Sequence, residues 1–163
     1  VLCSRNLSMN NKLKTKTRLA IIQYIFLFLS RKNDDSEKIK EEFDNYFYGK
    51  TFSNISDNNE FEIDYNKNFF SKLSDNFIKF YNTEDISKNL NNYIDFDRKF
   101  EKWDLINQAI IISILSELSF TVKEKIKIVL NDYLNLAKNF VPINEVKMIN
   151  AVVDKYLNDK QIL

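Results

Sequence analysis

The sequence predicts an all-α fold, a helical bundle of about seven helices. Three observations predict it. Apolar residues recur at three- and four-residue steps in successive stretches, the spacing that lines one face of a helix. The 163 residues contain one Gly and one Pro, and sheets or barrels need more turn residues than that. Apolar residues make up 44% of the chain, with 14 Phe and 8 Tyr, which is enough to build a core. The expected organisation is a flexible basic arm at 1–13 and a single helical domain at 14–163. That domain divides into subdomains at approximately 14–60 and 61–163, with the first helix packing on both.

The first helix is expected at about 14–30. Apolar residues surround most of its circumference, so it belongs in the centre of the bundle. Its run from Leu19 to Leu29 includes Gln23 and is shorter than the roughly 20 residues a bilayer requires. A secretory leader is the competing reading, but Ser30, Arg31, Lys32 and Asn33 offer no small-residue cleavage site. Met9 is a candidate start, with 1–8 an upstream extension.

Asp35 or Ser36 caps a second helix whose apolar stripe is Ile39, Phe43, Tyr46 and Phe47. Gly49 ends it, and 50–60 reads as a polar surface loop. Phe61 and Ile63 lead into a third helix at about 64–81, with Phe69, Phe70, Leu73, Phe77 and Phe80 at helical steps. Thr83 is expected to cap a short fourth helix carrying Ile86, Leu90 and Tyr93. Residues 95–103 are charged and aromatic, a turn or broken helix.

The fifth helix, at about 104–118, is continuously apolar from Ala109 to Leu115 apart from Ser113. It is expected to be the most buried after the first. Thr121 and Glu124 fit a capping box for the sixth helix, whose stripe runs Val122, Ile126, Val129, Leu130, Tyr133, Ala137, Phe140. The seventh starts near Pro142, where a missing N–H costs nothing, and buries Val146, Ile149, Val152, Val153, Tyr156 and Leu157.

Composition excludes the familiar enzyme classes. There is no His, so the commonest general base and metal ligand are absent. With one Cys, no zinc site is expected, and no Gly-rich phosphate loop or nucleophile elbow can be written with one Gly. The expectation is a non-enzyme with no cofactor. Cys3 has no internal disulfide partner, which fits a reducing, cytoplasmic location.

The net charge of +1 hides an asymmetry. Arg5, Lys12, Lys14, Lys16 and Arg18 precede residue 19 with no acidic residue among them. A basic arm on a near-neutral body points to a polyanionic partner, against the plainer reading of a solvated terminus. Aromatic residues at helical spacing read as core. Those off the stripes, Phe52, Tyr24 and Trp103, are the expected exposed ones.

The order of residues adds a resemblance. LNDYLNLAKNF at 130–140 resembles the INEAVELAKxF signature of the NusB family of bacterial transcription antitermination factors. INAVVDK at 149–155 is similar to its FVNGVLDK without a gap, ILSEL at 114–118 to its AYEL, and TRLAIIQYIF at 17–26 to its ARxxAVQALY. The resemblance implies an all-α fold of two helical subdomains. It implies pairing with the ribosomal protein NusE, binding to single-stranded boxA-type RNA and action on the RNA polymerase elongation complex. It implies no membrane partner. The chain is expected as a monomer or homodimer.

By position, the resemblance hands RNA contact to Lys14, Lys16 and Arg18, with Lys12 just outside, and to the positions of Met148 and Asn150; Lys123 and Lys127 of the sixth helix are expected to extend the arm into one basic patch. It assigns partner contact to Asn107, Gln108 and Asn144. Several positions depart from the family's pattern. Phe140, Val141, Pro142, Ile143 and Asn144 stand where the family has Phe-Gly followed closely by an acid, Met148 replaces an aromatic residue, and Asn107–Gln108 replaces a charged pair. These departures motivate a second reading, a helical protein-interaction module that has lost RNA binding. NusB-like domains also occur fused to RNA cytosine methyltransferases, but one Gly in 163 residues leaves no room for the cofactor-binding domain such an enzyme needs.

Overall fold

Capping side chains decide where the first four helices begin. A computed structural model describes residues 10–32, 34–47 and 65–162. Asn10 Oδ1 accepts from the Lys12 N–H at 2.9 Å, so α1 runs Asn11–Ser30 and not from residue 14. Lys12 is therefore part of the helix and not of a flexible arm. Asp35 Oδ1 accepts from the Glu37 N–H and opens α2, Ser36–Phe47. Asn66 does the same for α3, Lys67–Thr83, through the Phe69 N–H. The expected residues Gly49, Phe52, Phe61 and Ile63 and the 50–60 loop lie outside the described residues, as do 1–9 and the side chains of Tyr46 and Phe47.

Two expected caps are corrected. Thr83 is the last residue of α3, and its hydroxyl bonds back to the Lys79 carbonyl, as Thr does inside a helix. Asp85 caps α4, Ile86–Asn91, by accepting from the Lys88 N–H. Thr121 likewise donates back to the Glu117 carbonyl at 2.7 Å, so no capping box forms with Glu124. A 3₁₀ turn, Lys123–Lys125, leads into α6, Ile126–Ala137. A second 3₁₀ turn, Phe100–Lys102, precedes α5, Leu105–Leu118. Pro142 caps α7, Ile143–Asp159. Among the described residues there is no strand.

The axis of the bundle is α5. It is buried continuously from Ala109 to Leu118, enclosed by α1, α3, α6 and α7. It is more completely buried than α1, whose first turn and Phe26 face solvent. On one side of the bundle an aromatic cluster joins α1, α2 and α3. The Tyr24 ring meets Phe43, Phe70 and Phe77 edge-on, with centroids 5.9, 5.7 and 5.9 Å away. Tyr24 and Trp103, expected on the surface, are both buried. The cluster ties α3 to α1 and α2, so packing does not follow a division of the chain at residue 60. α6 and α7 pack on the other side of α5, and one apolar core runs through both halves. Val122 and Phe140, the expected ends of the α6 stripe, are exposed because the helix is shorter than its apolar pattern.

Candidate nucleic-acid interface

Four helices meet at one buried cation. Arg18 projects from α1 into the interior and is 7% exposed. Its Nη2 and Nε reach Glu117 of α5, at 2.8 Å to Oε1 and 3.0 Å to Oε2. Its Nη1 donates to Asp132 Oδ2 of α6 at 2.7 Å. The guanidinium also lies 5.6 Å from the Phe69 ring of α3 and 5.7 Å from the Tyr133 ring of α6. Burial opposes the charge, but the Glu117 and Asp132 carboxylates outweigh it and hold Arg18 protonated more firmly than an ordinary arginine. Arg18 is thus committed to an internal ion-pair cluster.

The remaining bonds complete the cluster. Tyr133 donates its hydroxyl to Glu117 Oε2 at 2.6 Å. Burial first, and then the adjacent Glu117 charge, push that hydroxyl well above its ordinary value. Thr15 donates to Asp132 Oδ1 at 2.8 Å, which pins the start of α1 against α6. The consequence is positional. The α1 turn that carries Lys12, Lys14 and Lys16 is held beside α6 and the end of α5.

Lys12 and Lys16 are exposed and Lys14 is half-buried. Lys123 and Lys127 are exposed in the turn before α6 and in its first turn. Lys125 is exposed between them and was missed by sequence reasoning, although the run KEKIK displays it. None of these six lysines makes an ion pair among the described residues. Free ammonium groups of this kind are what a phosphate backbone neutralises on binding.

The other expected residues fall elsewhere. A groove of about 700 Å³ runs between α7 and the segment that follows α4. Asn144 and Met148 line it from α7, opposite Tyr93, Phe96 and Arg98. Arg98 Nη2 donates to Glu145 Oε2 at 2.7 Å and lies 3.4 Å from the Met148 sulfur. Asn150 is exposed but does not line the groove, since residues two apart on a helix point in different directions.

Asn107 and Gln108 turn inward. Asn107 is 1% exposed and donates to Glu145 Oε2 at 2.9 Å, while its Oδ1 has no partner among the described residues. Gln108 donates to the Phe100 and Trp103 carbonyls, closing the 3₁₀ turn onto α5. Asn107 ties α5 to α7 and half-buried Gln108 ties the 3₁₀ turn to α5, so of the three expected partner residues Asn144 is the most exposed. No group of His, Cys, Asp and Glu among the described residues has metal-binding geometry. No described helix is long and apolar enough to cross a membrane.

Comparison with known proteins agrees with this architecture. The family model described as the NusB family matches residues 15–158. The transcription antitermination protein NusB of Rickettsia bellii is 24% identical over 154 residues, covering 93% of this chain and 96% of that protein. Its counterpart in Rickettsia rickettsii is 23% identical, with 90% and 93% covered. The solved structure of T. maritima NusB superposes with a TM-score of 0.62 at 16% identity, over 89% of this chain and 90% of that one. At that identity the structural likeness speaks for the fold alone.

Proposed function

The chain belongs to the NusB family, and on that premise we propose that it is an RNA-binding transcription antitermination factor without enzymatic activity. It binds boxA-type single-stranded RNA of nascent ribosomal transcripts, pairs with ribosomal protein NusE and acts on the RNA polymerase elongation complex in the cytoplasm. The observation that carries the RNA part is the Arg18 cluster, which brings the lysine-bearing turn of α1 against α6. Lys12, Lys14, Lys16, Lys123 and Lys127 neutralise phosphates there. Arg18 is a positioning residue that acts through Glu117 and Asp132.

NusE pairing is assigned to the groove that holds Asn144 and Met148, because Asn107 and Gln108 are spent on internal bonds. Its floor is partly apolar and its rim carries Arg98 and Lys155, a mixture suited to a protein surface. Lys155 is ion-paired to Asp95 there, and that hydrogen bond is the main reason the Asp95 carboxyl sits below its usual range. The test is a gel-shift titration with boxA-type and scrambled oligoribonucleotides, each with and without NusE. Preferential binding of the boxA-type strand, strengthened by NusE, is expected. Equal binding of both strands with no gain from NusE rules the proposal out.

The groove also favours a second reading, a helical interaction module without RNA affinity. Co-purification with NusE alongside an absence of any shift by either RNA would select it.

A further inference from the structure

Phe120 is the most exposed aromatic side chain among the described residues, at 50%. It sits in the corner between α5 and the Lys123–Lys125 turn. A phenylalanine left half in water forgoes part of the stabilisation that full burial would contribute. It has no aromatic neighbour among the described residues, unlike half-exposed Tyr81, which packs edge-on against Phe28. The corner that presents Phe120 is fixed by three bonds. The Phe120 N–H donates to the Glu117 carbonyl at 3.1 Å, the Thr121 hydroxyl to the same oxygen at 2.7 Å, and the Thr121 N–H to the Leu118 carbonyl at 3.2 Å. Glu117 is itself held by Arg18 and Tyr133. The ring is therefore mounted on the rigid hub of the molecule.

Its surroundings carry the charge that suits a polyanion. Lys123, Lys125 and Lys127 follow within seven residues and are all exposed, against one exposed acid, Glu124. The same hub holds the lysine-bearing turn of α1. Single-stranded nucleic acid is bound by this pairing of free cations and an open ring, because every base has a face to stack while its phosphates meet the lysines.

We infer that Phe120 is a base-stacking platform for single-stranded RNA, with Lys123, Lys125 and Lys127 holding the flanking phosphates. The inference rests on the RNA-binding reading and extends it to a residue that makes contact through its ring, not its charge. A platform of this kind is indifferent to base identity, so it adds affinity for single strands and not sequence preference. An acidic, apolar protein segment would suit the same chemistry, and the experiment separates the two.

The experiment titrates a labelled single-stranded oligoribonucleotide with the full chain by fluorescence anisotropy at several salt concentrations. Phe120→Ala and Phe120→Leu are expected to bind about tenfold more weakly with an unchanged slope of log affinity against log salt. Phe120→Tyr retains binding. Lys123→Gln with Lys127→Gln weakens binding and also flattens the slope. In Phe120→Trp, RNA quenches the new indole, against the constant emission of buried Trp103. Wild-type affinity in Phe120→Leu, with weakening in the lysine variant, overturns the platform and leaves the RNA reading standing. Absence of RNA binding by the wild-type chain overturns both, and leaves the corner to a protein partner.

Discussion

Arg18 grips both carboxylate oxygens of Glu117 across 99 residues of sequence, in a site where each residue is 7% exposed. Removing one partner leaves the other as an uncompensated buried charge, which typically costs about 3–5 kcal/mol. Arg18→Ala is expected to lower the unfolding free energy by about that amount in urea denaturation. The combination Arg18→Met, Glu117→Leu and Tyr133→Phe removes every member that would be left buried and unpaired. It is expected to recover most of the loss, because apolar replacement of a buried ion pair is often close to neutral. Asp132 keeps enough exposure to be hydrated on its own. A loss below about 1 kcal/mol in Arg18→Ala would falsify the structural role assigned to the cluster.

The sequence signalled this site in part. Arg18, Ile22, Ile25 and Leu29 fall at the spacing of one helix face, and all four are buried. Glu117 is the one charged residue in the buried run from Ala109 to Leu118. Read singly, an arginine in a basic run looks solvated, since its cost of burial depends on a partner 99 residues away. Long apolar stripes therefore identified the seven helices found among the described residues, while the paired charge between them left no such periodic signal. The inward turn of Asn107 and Gln108 was hidden for a related reason. Their partners, Glu145 and the Phe100 and Trp103 carbonyls, are set by tertiary packing and by a 3₁₀ turn that no apolar period encodes.

Tyr133 gives the fold an alkaline limit. Its hydroxyl titrates well above the ordinary value of 10.0 in the folded chain, because of burial first and Glu117 second. In the unfolded chain it ionises near 10.0. Above that pH the folded state holds more protons than the unfolded state, so stability falls as pH rises. The contribution is fully present below about pH 10 and is lost at about 1.4 kcal/mol per pH unit for one such group. Buried Tyr24 is raised in the same direction, chiefly by burial, and steepens the decline. Urea denaturation between about pH 8 and about pH 11.5 should show a plateau and then this fall. Tyr133→Phe is expected to start less stable, having lost the bond to Glu117, and to decline less steeply. Parallel curves for the two proteins would refute the assignment.

The helix caps make a second pair of opposite expectations. Asp85 accepts from the Lys88 N–H at the start of α4, so Asp85→Ala is expected to cost about 1 kcal/mol. Glu124 is exposed and makes no capping box, because the Thr121 hydroxyl is turned back to Glu117. Glu124→Ala is therefore expected to change stability by less than about 0.5 kcal/mol. Sequence pattern alone ranks these two the other way, since Thr-x-x-Glu is the stronger helix-start signature. Thermal unfolding of the two variants side by side decides which reading of the α5–α6 corner holds.

Lys12, Lys14 and Lys16 separate binding from folding. They carry no ion pair among the described residues, and Lys12 and Lys16 stand in water. Replacing all three with Gln is expected to leave the unfolding free energy within about 0.5 kcal/mol per site. Single-stranded RNA affinity should fall, and the slope of log affinity against log salt should flatten by about 2, near 0.7 for each phosphate that is no longer neutralised. Arg18→Met with Glu117→Leu and Tyr133→Phe is the informative companion, because it loosens the mount while leaving the three lysines in place. Weaker binding with an unchanged salt slope in that variant would mark Arg18 as positioning the lysine turn. A slope that flattens by a further unit would instead make Arg18 a direct partner of the phosphates, which its burial between Glu117 and Asp132 argues against.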